Sequence, residues 1–140
     1  MTADTPTDTP VAPPAFDPFA LPPLREVIAQ YGLGARKALG QNFLLDLNLT
    51  GRIVRGAAIA PGTSVVEVGP GPGGLTRAIL ASPAARLVAV ERDPRFIEAL
   101  GDVVTAAAGR LTIVEADALT VDPVDLVPAP RAIVANLPYN

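Results

Sequence analysis

The chain has 140 residues, 49% of them hydrophobic and only 4% aromatic, so one domain with a core of Ala, Val, Leu and Ile is expected. Cysteine and histidine are both absent, which excludes disulfides, thiol nucleophiles, histidine-based metal sites and Ser-His-Asp catalysis. The net charge of −3 is not typical of a nucleic-acid-binding surface, and no apolar stretch is long enough to span a membrane. We therefore expect a cytoplasmic protein whose chemistry uses carboxylates, amides, backbone groups or an organic cofactor, without a metal.

The chain begins with a Pro-rich segment. Residues 1–23 are rich in Pro, Thr, Ala and Asp, and such a composition buries too little apolar surface to offset the entropy of ordering. We therefore predict a disordered tail over residues 1–23 and a folded part over residues 24–140. The folded part opens with a short helix to Tyr31 and a second helix that Asp46 caps and that runs to about Ala58.

Apolar strands then alternate with helical segments. The predicted strands are short runs of Val, Ile, Leu and Ala at residues 63–69, 86–91, 111–117 and 131–138. The predicted helices span residues 75–82 and 94–108, with a loop or short helix at 123–127. Asp93 is a good N-cap for the second of these helices. This order indicates a parallel sheet covered by helices on both faces.

Candidate ligand-binding residues fall where the predicted strands end. They are Glu67 and Gly69 at the first strand, Glu91 at the second, Asp117 at the third and Asn136 at the fourth. In open parallel sheets, ligands bind beyond the carboxyl ends of the strands, near the point where the strand order reverses. We therefore predict a ligand site at this edge of the sheet.

The loop GPGPGG after the first strand is compatible with two kinds of ligand. Gly69, Gly71 and Gly74 fit the spacing G-x-G-x-x-G, and Glu91 follows about twenty residues later, which is the fingerprint of a dinucleotide site. Pyrophosphate binding, however, needs backbone N–H groups that point at the anion. The two prolines of the loop each remove one such N–H group, which argues against a diphosphate.

The carboxylate of Glu67 would also repel a diphosphate, whereas it suits a ligand with an ammonium and a sulfonium group. S-adenosylmethionine is such a ligand, and we favour it over NAD. Glu91 is then placed to accept hydrogen bonds from both ribose hydroxyls. Asp117 is placed to accept one from the exocyclic amine of the cofactor's adenine.

The segment NLPYN at residues 136–140 predicts a site that acts on an adenine amino group. The lone pair of this nitrogen is delocalised into the ring, so the reaction needs hydrogen-bond acceptors that hold its N–H protons. The side-chain oxygen of Asn136 and the carbonyl before Pro138 are such acceptors. Tyr139 offers a stacking face for a base taken out of its helix. Without histidine, we expect the rate enhancement to come from proximity, alignment and desolvation.

These motifs resemble those of the class I S-adenosylmethionine-dependent methyltransferases, and more closely those of the rRNA adenine-N6 dimethyltransferases. The matching segments are LGQNFL at 39–44, VEVGPGPGGLT at 66–76, VERD at 90–93, EADAL at 115–119 and NLPYN at 136–140. GQNFL together with NLPY is much more specific for this family than the glycine loop. The resemblance implies a Rossmann-like α/β fold, of which this chain supplies the first four parallel strands with flanking helices.

The resemblance also implies roles for individual residues. Those expected to bind S-adenosylmethionine are Gln41, Asn42, Leu44, Gly69, Gly71, Glu91, Asp117, Ala118 and Asn136. Those expected to hold the target adenine are Asn136, Leu137, Pro138 and Tyr139. The implied reaction is dimethylation of the N6 amines of two adjacent adenines in a hairpin near the 3′ end of 16S rRNA, with the immature 30S subunit as partner. The resemblance implies neither a metal nor a membrane, and the complete protein is expected to be a monomer.

Three alternatives remain open from the sequence. They are a 23S rRNA adenine-N6 methyltransferase of the antibiotic-resistance type, a non-catalytic RNA-binding assembly factor and an NAD-dependent oxidoreductase. NLPY, rather than NIPY, favours the small-subunit branch over the first of these. Family members continue into further strands and a small helical domain that helps to hold RNA. We therefore expect residues 1–140 to be the N-terminal part of a longer chain, and to be inactive in methyl transfer on their own.

Overall fold

The structure is a computed structural model that describes residues 15–34 and 44–135. Within these ranges the apolar runs form four strands, β1 (Ser64–Val68), β2 (Arg86–Glu91), β3 (Leu111–Glu115) and β4 (Arg131–Ala135). Neighbouring strands pair in parallel, and their order across the sheet is β3-β2-β1-β4. The predicted parallel sheet is therefore confirmed, and the carboxyl ends of these strands lie at one edge.

Helices connect the strands. Their bounds are α1 (Leu24–Gln30), α2 (Leu47–Gly56), α3 (Gly74–Leu80), α4 (Pro94–Ala99), α5 (Gly101–Ala106) and α6 (Pro123–Leu126), and a 3-10 turn at Ala118–Thr120 follows β3. None of these described helices has the length and apolar character needed to cross a bilayer. The chain adds β2 and β3 on one side of β1 and then crosses to β4 on the other side. The strand order therefore reverses between β1 and β4.

Asp side chains cap the first turns of α2, α4 and α6. Oδ1 of Asp46 accepts hydrogen bonds from the backbone N–H groups of Asn48 and Leu49, at 2.9 and 3.3 Å. Oδ1 of Asp93 accepts one from the N–H of Arg95, at 3.0 Å. Each carboxylate satisfies N–H groups that have no partner inside the first helical turn. The helix starts predicted at Asp46 and Asp93 are confirmed.

The helix predicted over residues 94–108 is divided in two. Leu100, between α4 and α5, has a φ of −83° and a ψ of 0°, which is the conformation of a turn rather than of a continuous α-helix. The next residue is Gly101, and glycine has a low helix propensity. Leu100 itself is fully buried in the core, so tertiary packing holds the turn in place. The prediction of a single helix is therefore wrong at this point.

Apolar side chains cover both faces of the sheet. On one face, Val65 and Leu87 belong to a buried cluster that also contains residues of α3 and α5. On the opposite face, Val66 and Val88 form a second cluster with Val127, which follows α6. Consecutive residues of a strand point to opposite faces, so the apolar runs in β1 and β2 are explained by burial on both sides.

Part of the Pro-rich segment packs on the domain. Phe16 and Leu21 lie against the buried cluster that contains α3. The Nη1 atom of Arg77, a buried residue of α3, donates a hydrogen bond to the carbonyl oxygen of Pro18 at 3.4 Å. The described part of the segment predicted as a disordered tail over residues 1–23 thus packs against the cluster that contains α3 through two apolar side chains, and one buried cation of α3 donates a hydrogen bond to it.

Candidate functional site

The glycine loop, residues 69–73, begins directly after β1 at the carboxyl edge of the sheet. The N–H of Gly69 donates to the carbonyl oxygen of Val90 in β2 at 3.0 Å, and the N–H of Gly73 donates to that of Pro70 at 3.0 Å. Gly69 has a φ of +67°, in the left-handed region that residues with a Cβ rarely adopt. It is exposed, and, its chain neighbours apart, no atom of the described residues lies within 4 Å of the position its Cβ would occupy. The loop therefore turns tightly and leaves an open face at Gly69 that ligand atoms can approach.

Glu91 ends β2 beside this loop. It is 8% exposed, and its Oε2 atom accepts hydrogen bonds from the backbone N–H groups of Arg92 and Asp93, at 2.9 and 3.0 Å. These two bonds fix the direction of the carboxylate. The second oxygen, Oε1, is not engaged by them and is suited to accept a hydrogen bond from a ligand hydroxyl.

Asp117 and Ala118 follow β3 at the same edge. Oδ1 of Asp117 accepts a hydrogen bond from the N–H of Leu119 at 2.9 Å and so starts the 3-10 turn that includes Ala118. Oδ2 faces Nη1 of Arg92 at 3.8 Å, with the two side chains 43% and 77% exposed. Such an exposed ion pair contributes little to stability. Arg92 therefore competes only weakly with a ligand amine for Oδ2 of Asp117.

Leu44 lies next to the glycine loop because the backbone comes very close there. A Cβ placed at Gly74, the first residue of α3, would collide with the carbonyl oxygen of Leu44. The side chain of Leu44 is partly buried and packs against the cluster that contains α3. The structure thus brings this predicted binding residue to the start of α3.

Glu67 does not lie in the open pocket where the sequence suggested a carboxylate. It is 1% exposed, and it accepts a hydrogen bond from the Oγ1 hydroxyl of Thr76 in α3 at 2.6 Å. Burial raises the pKa of Glu67 from 4.5 to about 7, the Thr76 bond acts in the opposite direction, and the nearby charge of Glu91 adds to the increase. The partner Thr76 was missed from the sequence, where its only signal is a polar residue in the first turn of an apolar helix.

Several predicted site residues lie outside the described residues, and their roles stay predictions. They are Gln41, Asn42, Asn136, Leu137, Pro138 and Tyr139. The strand that leads to the last four does reach the carboxyl edge. Its final residue, Ala135, is the register partner of Val68 at the end of β1.

The described residues fit S-adenosylmethionine better than a dinucleotide. The loop that carries Gly69 and Gly71 has a proline after each of these glycines, and proline offers no N–H to a pyrophosphate. Glu91 and Asp117 place carboxylate oxygens at the same edge, where they attract a cation and accept hydrogen bonds from a diol and an amine. The diol of a ribose and the amine of an adenine are such groups, and the negative charge at this edge suits a sulfonium better than a diphosphate.

Known proteins are similar to this chain in sequence. The family described as ribosomal RNA adenine dimethylase matches residues 32–140. A ribosomal RNA small subunit methyltransferase A from Methylobacterium radiotolerans is 65% identical over 121 residues, which cover 86% of this chain and 41% of that protein. The protein of the same name from Paramagnetospirillum magneticum is 60% identical over 120 residues, covering 86% and 43%. The chain thus spans about two fifths of the length of these curated relatives.

Solved structures share the fold. The 23S rRNA methyltransferase ErmE has a TM-score of 0.60 at 34% identity, over 70% of this chain and 38% of that one. A dimethyladenosine transferase from Plasmodium falciparum has a TM-score of 0.57 at 25% identity, over 70% and 34%. The predicted Rossmann-like fold of class I methyltransferases is thereby confirmed. Because the family match covers most of the chain, including the glycine loop and the carboxylates at the strand ends, this chain belongs to the ribosomal RNA adenine dimethylase family.

Proposed function

We propose that this chain supplies the methyl-donor site and the adenine-binding motif of an enzyme that dimethylates the N6 amines of two adjacent adenines in 16S rRNA. The observation that carries the proposal is the placement of Gly69, Glu91 and Asp117 at one edge of the sheet, in a chain of this family. The curated relatives are named as small-subunit methyltransferases, which supports the immature 30S subunit as the partner. We place the activity in the cytoplasm, in a monomeric protein.

In this proposal the carboxylates of Glu91 and Asp117 recognise the cofactor by hydrogen bonding. Oε1 of Glu91 accepts from the ribose hydroxyls, while Oε2 stays bound to the backbone N–H groups that orient it. Oδ2 of Asp117 accepts from the exocyclic amine of the adenine. The residues proposed to complete the site are Gln41, Asn42, Leu44, Gly69, Gly71, Ala118 and Asn136. When bound, S-adenosylmethionine supplies a methyl group that its sulfonium makes electrophilic.

The target adenine is proposed to be held by NLPY. The amide oxygen of Asn136 and the carbonyl oxygen of Leu137 accept hydrogen bonds from the amine, so that its lone pair is directed at the methyl group. Pro138 stiffens this segment, and Tyr139 stacks on the base. The proton lost by the amine passes to water. The main contributions to rate are alignment and the exclusion of solvent.

The reaction is tested with the natural protein that carries this sequence and with 30S subunits that lack the two dimethyladenosines. We expect transfer of labelled methyl groups to 16S rRNA, and we expect Asn136→Ala to lower kcat by about a hundredfold or more, as loss of one oriented hydrogen-bond partner does in other enzymes. Glu98→Gln, on the exposed side of α4, is the control and should retain the wild-type rate. Methylation by Asn136→Ala at the wild-type rate would contradict the catalytic role, and would favour other acceptors.

Cofactor identity is tested by calorimetric titration with S-adenosylhomocysteine and, separately, with NAD. We expect only the first to bind, and we expect Glu91→Ala to weaken it by about tenfold or more, because a hydrogen bond to a charged acceptor is lost. Binding of NAD without binding of S-adenosylhomocysteine would support the oxidoreductase alternative.

The substrate is tested against the second candidate, a 23S rRNA methyltransferase, which the likeness to ErmE raises. Immature 30S subunits and unmodified 23S rRNA are offered in parallel at equal concentration. Preferential methylation of the 23S rRNA would overturn the small-subunit assignment. Binding of 30S subunits without methylation of either RNA would support a non-catalytic assembly factor.

A further inference from the structure

Two carboxyl groups and one hydroxyl form a cluster beneath the glycine loop. Glu67 lies on the same face of the sheet as Val65, because residues two apart in a strand point the same way. Its register partner in β2 is Ala89, so Glu91, two residues further along, projects from that same face. The hydroxyl of Thr76 closes the cluster from α3, at 2.6 Å from Oε1 of Glu67.

Among the described residues, the surroundings of Glu67 offer little to balance a negative charge. From β2 the ionisable group that acts on it is the carboxylate of Glu91, which is of like sign. From β4 its register partner is the apolar Val134. Arg77, the cationic residue next to Thr76 in α3, instead donates a hydrogen bond to the carbonyl oxygen of Pro18. Accordingly burial raises the pKa of Glu67 to about 7, and the charge of Glu91 adds to this increase.

We propose that Glu67 holds a proton in the ligand-free protein and releases it to solvent when a cationic methyl donor binds at the adjoining loop. Glu67 is then neutral in the ligand-free protein. It becomes a negatively charged counter-ion, acting through space, when a ligand with a sulfonium and an ammonium group binds. The inference rests on the proposed function, because it takes S-adenosylmethionine as the ligand. The inference goes beyond the proposed function in two ways. It couples cofactor binding to the release of one proton, and it gives a role to a carboxyl group that does not line the open edge of the sheet.

The direction of the effect follows from electrostatics. A cation close to a carboxyl group favours its ionised form and so lowers its pKa. The ligand must therefore displace the proton at pH values below the pKa of the free protein, and it binds more tightly where the proton is already absent. Affinity for S-adenosylmethionine should rise as the pH increases from 6 to 8, by about three- to tenfold. S-adenosylhomocysteine lacks the sulfonium charge and should show a smaller rise.

The test is calorimetric titration of S-adenosylmethionine at pH 7 in two buffers whose ionisation enthalpies differ, such as phosphate and Tris. The dependence of the apparent binding enthalpy on the buffer gives the number of protons exchanged. We expect the wild-type chain to release about half a proton more than Glu67→Gln, since a group with a pKa near 7 is half protonated at this pH. The ligand's own amino group titrates at about pH 7.7–8.0, and comparison with Glu67→Gln removes its contribution. Glu98→Gln is the matched control and should behave as wild type.

Thr76→Val provides a second, independent measurement if Glu67→Gln does not fold. The lost hydroxyl had favoured the ionised carboxyl, so its removal should move the pH dependence of the affinity to higher pH. An unchanged pH dependence in Thr76→Val, or equal proton release by wild type and Glu67→Gln, would overturn the inference. Either result would leave the proposed function intact, as long as S-adenosylmethionine still binds. Failure of both S-adenosyl ligands to bind the wild-type protein would instead overturn the proposed function.

Discussion

The buried carboxyl group of Glu67 makes the free energy of unfolding depend on pH. In the folded chain the pKa is about 7, against an ordinary value of 4.5, so between these values the folded state keeps a proton that the unfolded state has lost. The stability that this group contributes is fully present below pH 4.5 and is lost as the pH rises through about 7. The loss is on the order of 3 kcal/mol.

We therefore expect the ligand-free chain to be less stable at pH 8 than at pH 5, and expect Glu67→Gln to remove most of this difference. Glutamine keeps an acceptor for the Thr76 hydroxyl but never ionises, so the variant should be the more stable protein at pH 8. Urea unfolding at both pH values measures the effect, with Glu98→Gln as the exposed control. Equal pH dependence in wild type and Glu67→Gln would show that other groups cause it.

At the scale of elements, the start of α3 depends on one close backbone contact. A methyl group at Gly74 would collide with the carbonyl oxygen of Leu44, so Gly74→Ala must displace either the helix or the segment before α2. We expect a loss of about 1–3 kcal/mol in the free energy of unfolding. Weaker binding of S-adenosylhomocysteine should accompany it, since either displacement changes the position of Leu44 relative to the start of α3.

Gly101→Ala is the matched control for this substitution. Gly101 also stands at the first position of a helix, α5, but, its chain neighbours and its own helix backbone apart, no atom of the described residues lies within 4 Å of the position of its added Cβ. Alanine there should leave binding unchanged and raise stability by up to about 1 kcal/mol, because alanine has the higher helix propensity. Denaturant unfolding of the two variants side by side tests the contact. Similar losses in both would mean that the approach of Leu44 is not what requires glycine at position 74.

At the scale of the whole molecule, the described sheet has an apolar side chain exposed on an edge strand. Ile133 of β4 is 61% exposed, although its register partner Val66 is buried in the cluster that also contains Val127. An exposed apolar edge strand favours pairing with another chain. We expect Ile133→Thr, which keeps a β-branched side chain, to raise the concentration at which light scattering detects self-association of this chain.

Val124→Thr is the comparison for this prediction. Val124 is 60% exposed, which is nearly the exposure of Ile133, but it lies on α6 and offers no strand edge. The substitution should therefore leave association unchanged. An equal effect of both variants would attribute association to general hydrophobicity, and no effect of Ile133→Thr would contradict the role of the edge.

The sequence by itself determined the sheet, most helix starts and the edge at which the ligand site lies. Strands buried on both faces have apolar interiors, as Leu87–Val90 of β2 do, and the caps at Asp46 and Asp93 act within two or three residues. The positions of Gly69, Glu91 and Asp117 at one edge follow from the parallel order alone. The division into a tail over residues 1–23 and a folded part stays a prediction beyond the described residues.

Only the tertiary structure decided the features that depend on partners remote in the chain. The turn at Leu100 divides a predicted helix because the core receives that side chain. Phe16 packs against the cluster that contains α3, and Leu44 lies against Gly74. Glu67 illustrates most clearly what the sequence predicts and what it does not. Its position at a strand end was predicted from the sequence, but its burial was not. The packing of α3 over β1 turns this carboxyl group away from water and toward Thr76, and so sets its protonation.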